Sequence, residues 1–385
     1  MIKDTEALRS FCLRCAEHPF VTIDTEFHRE RTYYSQLCLI QIAYPGEGEE
    51  TAVLVDALSS DLDLAPLYDL FRNKDVVKVF HAARQDLEIF FVEAEVFPEP
   101  FFDTQVAAMV CGFGEQVGYE TLVRKICRAG LDKSSRFTDW KQRPLTEKQQ
   151  AYALADVTHL RDIYLHLKAD LKESGRESWV DEELSVLLNP ETYIVEPVEA
   201  WRRIKLRNTN KQYLAVVREL AQLREELARE RNVPRNRIIK DDALLEIASS
   251  KPKDMHALGK SRLLMREGRK GDLAEALLAA IKRGVNTPPE DCPEPKPVSM
   301  RKPGNEGLSE LLRVLLKAKA EQAGVAQKLI ATSSDLDLLA NDNGEDLPAL
   351  KGWRNKVFGQ DAQRLMAGKV ALSADGSKVK IVEID

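Results

Sequence analysis

Segments with the two-residue period of a β-strand crowd into the first 82 positions of this chain, and most of the remaining sequence reads as helix. FVTIDTEF (20–27) alternates apolar and polar residues, while QLCLIQIAY (36–44) and TAVLVDAL (51–58) are rich in Val, Ile and Leu. APLYDLF (65–71) has a helical pattern, and VVKVFHA (76–82) returns to strand. Helical patterns then run through RQDLEIFFVEA, TQVAAMVCGF and ETLVRKICRAG to a long helix over about 146–172. Early strands followed by alternating helices and strands predict an α/β domain over 1–175, a mixed sheet covered by helices. A connecting helix and linker, punctuated by Gly175 and Asn189-Pro190, would occupy 176–204, with TYIVEPVEAW left irregular. Residues 205–284 predict an all-α unit. The stretch 285–304 holds six of the chain's 17 prolines and is a linker. A second all-α unit follows over 305–372, and 373–385 forms a tail or hairpin around Asp375-Gly376.

Charge divides along the same boundaries. Residues 1–170 carry 19 Lys and Arg against 28 Asp and Glu, whereas 205–284 carry 19 against 11. An acidic block followed by a block of net +8 points to a nucleic-acid partner. The densest basic run is Lys251, Lys253, Lys260, Arg262, Arg266, Arg269 and Lys270. The second helical unit has nine basic and nine acidic residues, which suits a structural or closing element. No apolar run approaches the roughly 20 residues of a spanning helix, and the N-terminus lacks a signal peptide's apolar stretch. The expectation is a cytoplasmic monomer with no membrane partner. Cys12 and Cys15 form the only close cysteine pair. With no second ligand pair they read as small apolar residues on a helix, not as half a zinc site.

The chemistry lies in carboxylates. Asp24 and Glu26 sit two apart in a strand, so both project from one face of the sheet. Two acids that close resist burial among apolar neighbours unless a cation joins them. Tyr152 and Asp156, at i and i+4 in TEKQQAYALADVTHL, share a helical face among alanines. Asp86 follows the fourth strand at the start of a helix and is a candidate ligand, whereas Asp103 in FFDTQVAA reads as a helix N-cap. Gly112-Phe-Gly114 follows a helix and not a strand, which rules out a dinucleotide-binding loop.

Asp-x-Glu on a first strand, an aspartate about sixty residues later and Tyr-x-x-x-Asp on a late helix together resemble the DEDDy branch of the DEDD exonucleases. DTEFHRERTYYSQLCLIQI, HAARQDLEIF, DTQVAA and LDKSSRFTDWKQRPLTEKQQAYALADVTHL closely resemble the ribonuclease D family over residues 20–170. The later basic blocks resemble its paired helicase-and-ribonuclease-D C-terminal (HRDC) domains. The resemblance implies an RNase H-like exonuclease domain followed by two HRDC domains. It also implies two divalent ions, Mg²⁺ or Mn²⁺, held by Asp24, Glu26, Asp86 and Asp156, with Tyr152 orienting the attacking water. All-oxygen ligands suit those ions, and a tyrosine of pKa near 10 orients water better than it deprotonates it. The implied reaction is 3′→5′ hydrolysis of RNA to nucleoside 5′-monophosphates, trimming precursor tRNA and other small RNAs. Gln85 stands where proofreading relatives carry an aromatic residue, which weakens a DNA-proofreading reading.

Phe27, beside the acid pair, is a candidate to stack on the terminal base. His81, Arg84, Trp140 and Arg143 are candidates for phosphate or base contacts. A DNA exonuclease with the same site, or a non-catalytic nucleic-acid-binding scaffold, are the alternatives. Removing residues 205–385 is expected to weaken RNA binding and retain some metal-dependent activity.

Overall fold

The computed structural model describes residues 1–132, 138–206, 208–294, 305–341, 344 and 346–384. Five strands form one mixed sheet: β1 (Phe20–His28), β2 (Gln36–Ala43), β3 (Ala52–Val55), β4 (Val77–Phe80) and β5 (Phe101–Asp103). Their order is β3-β2-β1-β4-β5, with β1 at the centre. The pairs β1/β2 and β2/β3 are antiparallel, and β1/β4 and β4/β5 are parallel. The expected mixed sheet is therefore present. The three-residue β5 is an element that the sequence pattern left out, because so short a strand shows no period.

Around the sheet lie α1 (Thr5–Cys15), α2 (Ala65–Arg72), α3 (Arg84–Ala94), α4 (Thr104–Val110), α5 (Tyr119–Leu122), α6 (Glu147–Ser174) and α7 (Glu177–Leu187). Cys12 and Cys15 are free and buried on α1, as small apolar residues would be. The segment expected as one helix over ETLVRKICRAG is α5 continued by a wider π turn, Val123–Cys127. Residues 133–137 of the LDKSSRF motif lie outside the described residues. The helix α6 starts at a reciprocal cap, in which Thr146 and Gln149 bond each other's backbone N–H, and ends at Gly175 in the left-handed region (φ 65°).

The first all-α unit comprises α8 (Lys211–Glu230), α9 (Arg235–Ile238), α10 (Asp241–Ser250), α11 (Met255–Gly259) and α12 (Gly271–Asn286). At Gly284 an added Cβ would come within 2.5 Å of the Val216 backbone, so glycine sets the close α8–α12 packing. This unit begins before residue 205. Ala200 and Trp201, from a 3₁₀ segment at Pro197–Arg203 expected to be irregular linker, and Ile204, which follows it, are buried in its core. The proline-rich linker is described only to residue 294, and α12 runs two residues into it.

The C-terminal unit holds α13 (Glu306–Ala323), α14 (Gln327–Ile330), α15 (Ser333–Ala340), α16 (Gly352–Arg354) and α17 (Gln360–Met366), then a hairpin of β6 (Val370–Asp375) and β7 (Lys378–Glu383). The hairpin turns at Asp375-Gly376 as expected, but starts inside the range assigned to the helical unit. Leu312, Leu315, Trp353 and Phe358 belong to the same buried cluster as Phe11, Phe80 and Phe90 of the catalytic domain. Trp179 stacks on Trp353 at 4.4 Å, Arg176 donates to the Ala323 carbonyl at 2.6 Å, and the Ala326 N–H donates to Met109 at 3.1 Å. Gly112, at φ 83°, lets the Gly324 carbonyl approach to 2.6 Å of where a Cβ would stand. Its role is helix-to-helix packing. The C-terminal unit is thus a wall of the catalytic domain, so removing residues 205–385, expected above to weaken RNA binding, also strips part of that domain's core.

Candidate active site

The site forms where β1 outruns its parallel neighbour. The β1–β4 ladder covers only Phe20–Thr22, whereas β1 continues against β2 to His28. Asp24 and Glu26 lie in this half-open stretch, on the face they share with Thr22. A register shift between Glu26 and Phe27 turns the strand end. Phe27 is half-buried against the main core immediately after it.

The helix α6 crosses that face. The Thr22 hydroxyl donates to the Val157 carbonyl at 2.7 Å, which brings Asp156 and Tyr152 over the acid pair. Arg161 adds a second tie, donating to the Tyr44 carbonyl and the Thr51 hydroxyl at 2.9 Å each. The Tyr119 hydroxyl donates to the Ala155 carbonyl at 2.9 Å and supports the helix from below.

Asp86 arrives from the β4–α3 turn, at the carboxyl end of a parallel strand. Asp103 makes that turn. Its carboxylate accepts from the Ala82 and Ala83 N–H groups at 3.0 and 2.9 Å while capping α4 at Gln105. Ala82 sits at φ 58°, a conformation uncommon for a residue with a Cβ, and the carboxylate holds it there. The N-cap expected of Asp103 is present, and the turn clamp is a second job. Asp86 itself is buried and accepts a hydrogen bond from Thr25.

Asp24 and Glu26 feel the charges of Asp156 and Asp86. Burial, and then the charges of Asp156, Asp86 and Glu26, hold the Asp24 carboxyl well above its usual range. Burial with Asp156 and Asp86 pushes Glu26 up to about 9, and burial lifts Asp86 to about 7 against the Thr25 hydrogen bond. Among the described residues, no three His, Cys, Asp or Glu side chains stand at the spacing of a closed metal cage. Asp24 and Asp156 nonetheless line one cavity, and the charges of Asp86 and Glu26 reach Asp24 there. An all-oxygen set carrying this much negative charge fits hard divalent cations, whose charge would remove the repulsion. Beside the acids, Asp24, His81, Gln105, Tyr119, Tyr152 and Asp156 line a cavity of about 370 Å³.

The substrate-side candidates divide. His81 lines this cavity, its Nδ1 3.0 Å from the Thr104 hydroxyl, and burial holds its pKa below the usual value. Arg84 is exposed at the start of α3. Trp140, 5% exposed, packs beside the Tyr152 ring (centroids 6.1 Å) and supports the tyrosine, so no base can stack on it. Arg143 is also corrected to a structural role. Its guanidinium donates to Asp56 at 2.9 and 2.6 Å, to the Cys38 carbonyl at 2.8 Å, and to the Trp140 and Gln142 carbonyls at 2.7 and 2.9 Å. All five N–H donors are committed.

Residue-by-residue reading also missed Gln41. It lies directly across the ladder from Asp24, fully buried, with neither amide atom hydrogen-bonded among the described residues. A glutamine inside QLCLIQIA was the available signal, a polar residue where the pattern asks for an apolar one.

A mixed sheet with acids gathered at the open end of its central strand, crossed by a helix carrying Tyr-x-x-x-Asp, defines a 3′→5′ exonuclease. Residues 1–172 match the family model described as 3'-5' exonuclease, and residues 213–281 match that of the HRDC domain. Ribonuclease D of Jannaschia sp. (strain CCS1) is 58% identical over 383 residues, covering 100% of this chain and 99% of the relative. Ribonuclease D of Acidiphilium cryptum (strain JF-5) is 47% identical over 386 residues, covering 100% and 97%. The crystal structure of Escherichia coli RNase D, described as an exoribonuclease involved in structured RNA processing, superposes with a TM-score of 0.83 at 31% identity, covering 96% of this chain and 98% of that one. The chain belongs to the ribonuclease D family, and it is a 3′→5′ exoribonuclease. One HRDC domain is matched, not the two expected. No helix among the described residues is long and apolar enough to cross a membrane.

Proposed function

We propose that this exoribonuclease trims the 3′ ends of precursor tRNA and other small RNAs, using two divalent ions, Mg²⁺ or Mn²⁺, held by Asp24, Glu26, Asp86 and Asp156. The observation that carries the metal site is that, on top of burial, the charges of Asp156 and Asp86 raise the carboxyl pKa of Asp24 and Glu26, with Asp24 and Asp156 lining one cavity. Bound there, the ions supply the charge that makes water nucleophilic and offsets the departing 3′-oxygen. Tyr152, its ring packed by Trp140, holds the attacking water in line with the phosphorus. Attack forms the new P–O bond and breaks the bond to the 3′-oxygen of the penultimate nucleotide, releasing a nucleoside 5′-monophosphate. Phe27 stacks on the terminal base, His81 contacts the same end of the chain, and Arg84 contacts a phosphate further upstream.

The units 1–175, 205–284 and 305–372 are read as one exonuclease and two HRDC domains, joined by the connector at 176–204 and the linker at 285–304. The second HRDC assignment rests on a repeated order: a long helix, a four-residue helix and a medium helix at 211–230, 235–238 and 241–250, and again at 306–323, 327–330 and 333–340. The protein acts as a cytoplasmic monomer. Its substrate is tested with a tRNA precursor bearing a short 3′ extension, alongside an unstructured RNA and DNA of the extension's sequence. Stepwise shortening that slows at the mature end, with DNA degraded poorly, is expected. A precursor left intact while the unstructured RNA is digested removes tRNA from the account.

A further inference from the structure

A second recess, of about 560 Å³, opens on another face of α3, between the catalytic domain and the first all-α unit. One wall is the stripe of α3 carrying Arg84, Glu88 and Phe91, with Glu95 just past its end, whereas Asp86, Leu87, Ile89 and Phe90 of the same helix are buried. The β1–β2 loop contributes Tyr33 and Tyr34, and the connector contributes Tyr193 and Arg203. Such a volume is ordinary for a ligand site.

Five arginines line it, and their partners sort them. Arg29 makes a two-point pair with Glu88 at 3.1 and 3.2 Å. Arg235 binds the fully buried Glu225, and Arg229 bonds the Tyr33 hydroxyl at 3.2 Å. The Asn232 side-chain Oδ1 accepts from the Tyr33 and Tyr34 N–H groups at 3.1 and 3.2 Å, fixing that loop on the helical unit. Arg84 and Arg203 differ. Both are exposed and make no hydrogen bond or ion pair among the described residues. Tyr34 is half-buried, edge-on to Tyr33 (centroids 4.8 Å), with its hydroxyl unbonded among the described residues.

Two uncommitted guanidinium groups and an aromatic ring in one recess match what single-stranded nucleic acid needs: cations for phosphates and a ring for a base. Glu88 and Glu95 on the same wall keep the recess from being a diffuse cationic surface. It starts two residues before Asp86 on α3, and on the loop that continues the strand of Asp24 and Glu26. A strand with its 3′ end at the acids therefore reaches it within a few nucleotides. We propose that this recess holds the RNA strand upstream of the cleaved bond, with phosphates on Arg84 and Arg203 and a base against Tyr34. This rests on the placement of catalysis at the four acids.

The test uses full-length protein and two RNAs, a dinucleotide and a strand of about 12 nucleotides that is long enough to fill such a site. The readout is the ratio of kcat/KM for the long RNA to that for the dinucleotide. In an Arg84→Ala/Arg203→Ala variant of unchanged melting temperature, this ratio falls about tenfold or more, and Tyr34→Leu lowers it in the same direction. On an Asp156→Ala background, the salt slope of long-RNA binding shrinks by roughly 0.7 per lost phosphate contact, and Arg203→Lys restores part of it. An unchanged ratio and slope overturn the recess while leaving the exonuclease intact. Long RNA that is cut equally well by wild type and Asp156→Ala removes the acid-site reading itself.

Discussion

Asp24 and Glu26 occupy the one stretch of the central strand with no parallel partner, and this lets Asp86 and Asp156 close on them from two other elements. Tyr152 sits one helical turn from Asp156, where the proposed mechanism gives its hydroxyl the task of orienting the attacking water. Tyr152→Phe should keep the Mg²⁺ activation midpoint and slow single-turnover cleavage by roughly 10²-fold. A wild-type rate would remove the tyrosine from the chemistry. Gln41 makes the opposite prediction for stability. Its unpaired buried amide costs about 1–3 kcal/mol, so Gln41→Met should raise the melting temperature. The amide faces Asp24 across the ladder, so turnover of the same variant tests whether it touches the chemistry, and a fall in turnover is expected if it meets the bound substrate or its water. Higher stability with full activity would show that the amide has no part in catalysis. Period two places Asp24 and Glu26 on one face and i, i+4 spacing does the same for Tyr152 and Asp156, whereas Asp86 stood out only by its place at a helix start after the fourth strand. Gln41, Thr25 and Tyr119 were not legible, since their roles come from contacts far away in sequence.

At the level of elements, the Trp140–Arg143 segment tests whether a family-typical stretch binds substrate or holds the fold. Arg143 joins this segment to β2 and to Asp56, whose side chain is 7% exposed. Burial works against the charged carboxyl, but Arg143's hydrogen bonds and charge outweigh it and hold Asp56 below the usual range. A depressed carboxyl stabilises the fold above its unfolded pKa of about 4 and loses that contribution as pH falls through the folded value. Arg143→Met should therefore cost about 3–5 kcal/mol near pH 7, with the gap from wild type narrowing below pH ~4 as Asp56 protonates. Denaturant melts across pH check this. Loss of RNA affinity at unchanged stability would restore the contact role. The pattern of long elements was readable from the sequence, and β5 was not, because three residues give no period. Arg143's role was hidden because a charged residue near an active site looks alike whether it faces substrate or a buried partner.

Over the whole molecule, the two helical units play different parts. The first meets the catalytic domain through a polar joint of Tyr33, Asn232, Glu225 and Arg235. The second shares the catalytic domain's apolar core. Cutting the chain at 204 strips that core of Leu312, Leu315, Trp353 and Phe358, each a loss of about 2–5 kcal/mol in packing terms. The fragment is expected to bind hydrophobic dye and lose its cooperative melt. A fragment that melts like the full chain would contradict this shared core. Charge had suggested a closing role for the second unit, but only tertiary contact could reveal that it completes the catalytic domain. The most direct measurement is digestion of 5′-labelled single-stranded RNA by the full chain with Mg²⁺, with EDTA, and with Asp156→Ala. A ladder that shortens from the 3′ end and is absent in both controls is expected. Shortening that survives EDTA, or that Asp156→Ala performs as well as wild type, would contradict a metal site built on these acids.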